Sequence, residues 1–252
     1  MLRILLFILI SISISFSGFS QKELPWNLRK YDFVKLHFGM SLGFNQTDAV
    51  VHNSDNFFAL DSVYSVECKG MPGFNINIVT NFNINKYFGI RFLPGLNFGQ
   101  RNMYYVMYDG SKFYEKVMQI ESTYLDFPLL FQLKSARLNN FRAYMVAGVS
   151  YKYDLSSQKK IPEDEKPKIR FSRNVYNYEL GVGTDFFLQY FKFAMELKLV
   201  VGINNIVEYD NSQYTSSIGS MNSKMIMFSF LFEGSDSDSF SFRKLFHRRK
   251  GG

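Results

Sequence analysis

The chain has 252 residues, of which 46% are hydrophobic and 18% aromatic, and its net charge at pH 7 is +7. Much of the positive charge comes from the last residues and one internal loop rather than from a single patch, which argues against nucleic-acid binding. The single cysteine excludes an internal disulfide, and after the first twenty residues no apolar run approaches the ~20 residues of a membrane-spanning helix.

The first residues have the features of an export signal. Arg3 supplies the positive start, residues 4–12 form a short apolar run, and small residues precede a cleavage point before Gln21. We therefore predict a signal peptide over residues 1–20. The following segment, residues 21–33, is predicted to be a periplasmic element that docks at the membrane interface through its aromatic side chains.

Residues 34–44 alternate strictly between apolar side chains and polar or small ones. Successive side chains of a strand point to opposite faces, so this pattern predicts a strand with one apolar face and one polar face. The polar face consists of Lys35, His37, Gly39, Ser41 and Gly43.

The same alternation recurs along the chain, and an Asp109–Gly110 pair between two alternating runs is a strong hairpin signal. Pro128 lies on a polar face, and because it donates no hydrogen bond it predicts either a bulge or an unpaired position. In all we predict eight strands, over about 34–44, 73–82, 88–108, 113–134, 141–153, 174–186, 191–201 and 222–232.

The connections between these strands alternate in length. Outer-membrane barrels have short periplasmic turns and longer external loops, and an even number of strands places both termini in the periplasm. We therefore predict an eight-stranded antiparallel up-and-down transmembrane β-barrel over residues 34–232, in the outer membrane of a Gram-negative bacterium. Its apolar face would contact lipid and lipopolysaccharide. The alternative is a soluble lipocalin-like barrel with the apolar face inside, and the export signal favours the membrane version.

Several ionisable residues fall on the polar faces and are predicted to point into the barrel. An eight-stranded barrel is just wide enough for side chains to fill it, and buried charges must be paired. A salt-bridge network that fills the lumen is therefore the favoured interpretation, and a conducting pore is the alternative. The predicted interior set is Lys35, His37, Arg91, Asp126, Arg142, Glu179, Glu196 and Lys198.

No constellation for catalysis is apparent. His52 has Ser54 and Asp55 beside it, but neighbours in one loop do not form a triad without a second element to orient them. The sequence contains no metal-ligand spacing, phosphate-binding loop or nucleotide fingerprint. We predict that the protein is not an enzyme and has no cofactor.

The last segment, residues 233–252, begins acidic and becomes basic. One interpretation is a disordered periplasmic extension. The other is a docking segment for an acidic periplasmic partner or for the anionic inner leaflet, where each basic residue adds about 1 kcal/mol. The residues that would dock are Arg243, Lys244, Leu245, Phe246, Arg248, Arg249 and Lys250.

Two segments carry a family resemblance. The segment KYDFVKLHFGMSLGFN at 30–45, with its HFG-x-x-LG motif, resembles the opening of the PorT-like (SprT-like) proteins of the Bacteroidetes, and TYLDFPLLFQLK at 123–134 resembles a middle strand of the wider outer-membrane β-barrel domain family. The resemblance implies a part in the type IX secretion system, which exports proteins with C-terminal sorting domains and supports gliding motility.

Together these observations predict a non-enzymatic accessory component of the type IX machinery that acts through contacts with other secretion-system subunits. The alternative is a small surface barrel similar to OmpX or OmpW, which would serve adhesion, envelope stability or the passage of a small apolar solute.

Overall fold

Eight antiparallel strands close into a ring in the computed structural model, which describes residues 25–54, 63–156, 170–209 and 213–234. Each strand pairs with the next along the chain, and the last pairs with the first, so the predicted up-and-down barrel is confirmed. The predicted signal peptide lies outside the described residues. The strands of the ring are β1 (Leu36–Asn53), β2 (Val63–Asn83), β3a (Phe88–Phe92), β3b (Gly95–Tyr108), β4 (Phe113–Lys134), β5 (Phe141–Asp154), β6 (Asn174–Phe187), β7 (Phe191–Gly202) and β8 (Ile218–Gly234). Two further strands of two residues each, Arg170–Phe171 and Val207–Glu208, pair outside the ring.

Short connections gather at one end of the ring. Residues 84–87, 135–140 and 188–190 form the turns there, and we call this the short-turn end; the opposite end is the long-loop end. A 3-10 turn, Tyr31–Phe33, precedes β1 at the short-turn end. A four-residue helix, Gln213–Ser216, precedes β8 at the long-loop end. No helix within the described ranges is long and apolar enough to cross a membrane.

An outward-facing apolar belt surrounds the middle of the ring. Large side chains such as Phe44 (67% exposed), Ile78 (62%) and Met145 (59%) have no protein cover. Along β5 every outward residue from Phe141 to Tyr153 is apolar or aromatic. At ~3.3 Å per residue and a tilt of ~40°, this stretch reaches about 30 Å in height, which is the thickness of a bilayer's hydrocarbon core.

Aromatic residues border the belt at both ends. The rings of Phe141 and Phe186 lie 5.5 Å apart near the short-turn end, and those of Tyr151 and Tyr176 lie 5.4 Å apart near the long-loop end. Such pairs place amphipathic rings where hydrocarbon gives way to headgroups. The belt therefore has the two girdles that a membrane barrel needs.

The strands continue beyond the belt at the long-loop end, into residues that the predicted strands, which ended at 44 and resumed at 73, and ended at 201 and resumed at 222, left as connections. β1 extends to Asn53, and β8 begins at Ile218 rather than at residue 222. Beyond the belt the polarity of the two faces reverses. Outward positions there are largely polar, with exposed exceptions such as Tyr64 and Phe113, and the inward residues join an apolar core. Polar and apolar residues still alternate there, but on the opposite faces. An assignment that looks for apolar residues on the outward face therefore classifies these extensions as loops.

Pro128 causes no bulge. The register of β4 against β3a and β3b runs unbroken past it, and its carbonyl accepts a hydrogen bond from the Leu93 N–H at 3.1 Å. The Leu93 carbonyl, which an N–H at position 128 would otherwise bond, accepts from the Asn77 side-chain amide at 3.2 Å. Of the two predicted alternatives, the structure therefore shows the unpaired position, with a side chain replacing the missing donor.

Gly95 makes this replacement possible, because a Cβ at that position would overlap the Asn77 amide and the Ile76 carbonyl. We expect Gly95→Ala to displace Asn77 and lower the free energy of unfolding by about 1–3 kcal/mol. Reversible urea unfolding in lipid vesicles would measure the loss. Gly89→Ala is the matched control, since its Cβ would meet the flexible Lys134 ammonium at 3.2 Å. Equal stability of the two variants would contradict the role of Asn77.

Candidate functional site: the charged lumen and its closed end

The lumen contains most of the ionisable side chains that the sequence predicted to point inward. Each lies on a strand whose outward neighbours belong to the belt, so the alternation that exposes the apolar residues also buries these charges. Seven of the eight are buried, with exposures of 4% or less: His37, Arg91, Asp126, Arg142, Glu179, Glu196 and Lys198.

Lys35 is the exception, and its predicted interior position is wrong. β1 begins at Leu36, so position 35 precedes the ring, and the side chain is exposed at the short-turn rim. Its backbone carbonyl accepts from the Asn83 N–H at 2.7 Å, which holds it against the first turn. Strand alternation assigns an inward side only within the closed ladder, and Lys35 lies just outside it.

A network of ion pairs links four strands near the short-turn end. The Arg91 guanidinium lies 2.6 Å from the Glu196 carboxylate and 3.6 Å from that of Glu233. The Lys192 ammonium lies 2.7 Å from Glu233, and the Tyr144 hydroxyl donates to Glu196 at 2.8 Å. All five side chains are almost fully excluded from solvent, so each charge depends on its partners for solvation.

Glu233 is the residue that sequence reasoning missed. The predicted barrel ended at residue 232 and placed Glu233 in the tail, but β8 runs to Gly234. Continuing the alternation one residue past Phe232 assigns Glu233 to the inner face, so the signal was present in the sequence. Lys192 and Asp185 likewise belong to the network but not to the predicted interior set.

Two further pairs occupy the lumen toward the long-loop end. The Lys198 ammonium lies 2.9 Å from the Glu179 carboxylate, and the Lys152 ammonium lies 3.7 Å from that of Asp126. Asn97 also donates to Asp126, at 2.5 Å. Above them the apolar core of the strand extensions begins, so the lumen passes from charged to apolar contents along its axis.

The segment that precedes β1 closes the short-turn end. We call residues 25–33 the N-terminal plug. Tyr31 is 1% exposed, and its hydroxyl donates to Glu233 at 2.5 Å. Its ring stacks on the His37 imidazole with a centroid distance of 3.7 Å. Asp32 lies 2.7 Å from the Arg142 guanidinium, which also contacts Asp185 at 2.8 Å. The plug thus supplies a hydroxyl and a carboxylate to the buried network.

Arg137, in the turn between β4 and β5, holds the plug from outside. Its guanidinium donates to the Asn27 carbonyl and lies 3.7 Å from the centroid of the Phe187 ring. Burial lowers the pKa of Arg137, and the negative charge of Asp32 opposes this effect. Asn27 also donates to the Phe187 carbonyl at 3.0 Å, so the plug is tied to two neighbouring turns.

The arrangement positions charges for mutual neutralisation. Within the described part of the chain, no group of His, Cys, Asp and Glu side chains could hold a metal ion. His37 is stacked and buried, and His52 is exposed at the end of β1. The predicted docking residues Arg243, Lys244, Leu245, Phe246, Arg248, Arg249 and Lys250 lie outside the described residues, as does Asp55.

Comparisons with known proteins agree with this architecture. A family model described as "Outer membrane protein beta-barrel domain" matches residues 19–208. No curated protein matches the chain significantly.

Solved structures of bacterial outer-membrane proteins are similar at low sequence identity. OprG of Pseudomonas aeruginosa is 14% identical, with 78% of this chain and 93% of that chain covered and a TM-score of 0.46. Ail, the attachment invasion locus protein of Yersinia pestis, is 12% identical, with coverages of 79% and 99% and a TM-score of 0.38. The protease OmpT of Escherichia coli is also 12% identical, with coverages of 79% and 96% and a TM-score of 0.35.

Glu233 is the residue whose removal tests the network. Glu233→Gln removes one negative charge from between Arg91 and Lys192, so that these buried cations keep only Glu196 and Asp185 as carboxylate partners. Breaking a buried ion pair in this way costs about 3–5 kcal/mol. We expect an unfolding transition at correspondingly lower urea concentration in vesicles. Glu115→Gln, at an exposed position of β4, is the matched control and should unfold like the unmodified protein.

Proposed function

Since the chain belongs to the outer membrane protein beta-barrel domain family, we propose that it is a non-enzymatic outer-membrane barrel that acts through contacts with other proteins. The short-turn end, with the N-terminal plug, would face the periplasm, as short turns do in bacterial barrels. The described ring is continuous and its lumen is occupied by paired charges, so its exposed ends and rims are the surfaces that remain for a function.

The single observation that carries this proposal is the closure of the short-turn end. Tyr31 enters the lumen and donates to Glu233, and Asp32 pairs with Arg142 at the mouth of the lumen, so plug and barrel wall share one network. A transport route would have to displace these groups and leave charges unpaired, at several kcal/mol per ion. This favours a scaffold over a channel.

We further propose that the partners are subunits of the type IX secretion machinery. The support for this is the resemblance of residues 30–45 to the opening of the PorT-like proteins, beside which residues 123–134 resemble a middle strand of the wider outer-membrane β-barrel domain family. In the structure these segments form the end of the plug with the start of β1, and the belt-spanning half of β4. The conclusion is an accessory subunit that recruits or anchors other components at the periplasmic side of the outer membrane.

Deletion of the gene tests this role. We expect proteins with C-terminal sorting domains to accumulate in the periplasm, because an accessory subunit of their exporter is missing, while the outer membrane keeps its resistance to detergents and large antibiotics. Immunoblots of culture medium and periplasm would measure the distribution of cargo. Normal export from the deletion strain would exclude the type IX role.

A second candidate function, an OmpX- or OmpW-like surface barrel, is favoured by the strand extensions at the long-loop end. The β3b–β4 hairpin projects beyond the belt and exposes Phe113 (60%), Tyr64 (53%) and Val117 (51%) beside it. Apolar groups in that position suit adhesion. Affinity purification separates the two candidates, because a surface barrel would not retain secretion subunits through washes in mild detergent, whereas an accessory subunit would.

The C-terminal tail allows a second test of the proposed contacts on the periplasmic side. Removing residues 235–252 leaves β8 complete, so we expect a folded barrel with reduced cargo export. The matched variant keeps the tail and replaces Arg243, Lys244, Arg248, Arg249 and Lys250 with Gln. If the basic charges dock the tail, both variants should lose export to a similar degree. Full export by the truncated protein would identify the tail as a dispensable extension.

A further inference from the structure

A cavity of about 590 Å³ lies at the short-turn rim, where it adjoins the lumen network through Asp32 and Arg142. Its walls are the N-terminal plug, the turn at residues 84–87 and the turn at residues 135–140. The cavity is therefore built from the parts of the chain that meet where the ring ends. Five cations line it: Arg29, Lys35, Lys86, Arg137 and Arg142.

The positive charge of this cavity is only partly compensated. Asp32 is its one acidic lining residue, and its carboxylate already lies 2.7 Å from Arg142 and 3.9 Å from Arg137. Arg29, Lys35 and Lys86 are exposed, and none of them has a carboxylate within ion-pair distance among the described residues. Three cations therefore surround one cavity with their charge available to an anion.

The same cavity has an apolar border. Phe33 is 87% exposed, Ile84 51% and Trp26 49%, and all three line it. Ile84 follows the outward-facing Phe82 of β2, so the border continues into the belt. Cations beside exposed aromatic and aliphatic side chains at the end of a lipid-facing surface match a molecule with an anionic head and an apolar body.

We propose that this cavity binds the headgroup of an anionic phospholipid. Arg29, Lys35 and Lys86 contact its phosphate, and its acyl chains lie along the belt beside Phe82 and Phe88. Continuity with the belt selects a membrane lipid over a soluble anion, because the belt already brings phospholipid headgroups to this rim. The assignment does not depend on which proteins the barrel contacts.

Native mass spectrometry of the full-length protein in detergent, titrated with phosphatidylglycerol or phosphatidylcholine, tests the site. We expect one phosphatidylglycerol to bind at least about tenfold more tightly than phosphatidylcholine, since three basic residues each strengthen contact with an anionic lipid. The triple variant R29Q/K35Q/K86Q should lose this preference. Glycerol 3-phosphate should not compete at equal concentration, because it lacks the acyl chains.

The matched control is K69Q/K112Q/K224Q, which removes the same charge from exposed positions toward the long-loop end and should keep the preference. Heat-modifiable gel mobility shows that both variants are folded. Equal affinity for the two lipids, or unchanged preference in R29Q/K35Q/K86Q, would overturn the site. Loss of the preference in both triple variants would overturn it too, since the effect would then follow net charge. Effective competition by glycerol 3-phosphate would assign the cavity to a soluble anion instead.

Discussion

The compensation of buried charge within a narrow lumen is the constraint on which the structure depends. An eight-stranded ring leaves no room for bulk water, so each inward charge must find its partner on another strand. Arg91 on β3a reaches Glu196 on β7 and Glu233 on β8, and Lys192 on β7 also reaches Glu233. The two Arg91 pairs cross the lumen between strands that share no ladder, whereas Lys192 and Glu233 are direct partners in the β7–β8 ladder. The Arg91 pairs therefore fix the shape of the ring, and the Lys192 pair stabilises its closure.

The N-terminal plug follows from the same constraint. At the short-turn end, Arg142 faces both Asp185 on β6 and Asp32 of the plug. Glu233, which serves two cations, also accepts from the Tyr31 hydroxyl. The plug therefore continues the charge network. This segment, which precedes the first strand, is held in place in part by Glu233 of the last strand, β8. Any movement of the plug has to be coupled to the β8–β1 closure.

The sequence predicted the part of this arrangement that follows from a two-residue period. Alternation identified eight strands, and it assigned seven of the buried ionisable residues to the inner face. It did not locate Lys35 or Glu233 correctly, because both lie at strand ends, and alternation does not show at which residue a strand begins or ends. Nor did it predict that Tyr31 enters the lumen, since a contact between residues 31 and 233 depends on the closed ring and leaves no periodic signal.

The strand extensions show a second limit of pattern reasoning. The barrel contacts hydrocarbon at the belt and water beyond it. One strand therefore needs an apolar outward face within the belt and an apolar inward face beyond it. Met103 and Tyr105 are fully buried inward on β3b, above the level of the ion pairs between Lys198 and Glu179 and between Lys152 and Asp126. Hydrophobicity alone does not reveal such a reversal unless the boundary is already known.

The HFG-x-x-LG motif can now be explained in part by packing. His37 stacks on Tyr31, and a Cβ at Gly39 would overlap the Phe232 carbonyl, so only glycine lets β1 approach β8 this closely. Ring closure and packing of the plug therefore explain His37 and Gly39 without a binding partner. It follows that recognition of other molecules has to reside in residues that closure leaves free. At the short-turn end these are the exposed side chains of the plug and turns, where Arg29, Lys35 and Lys86 lie together.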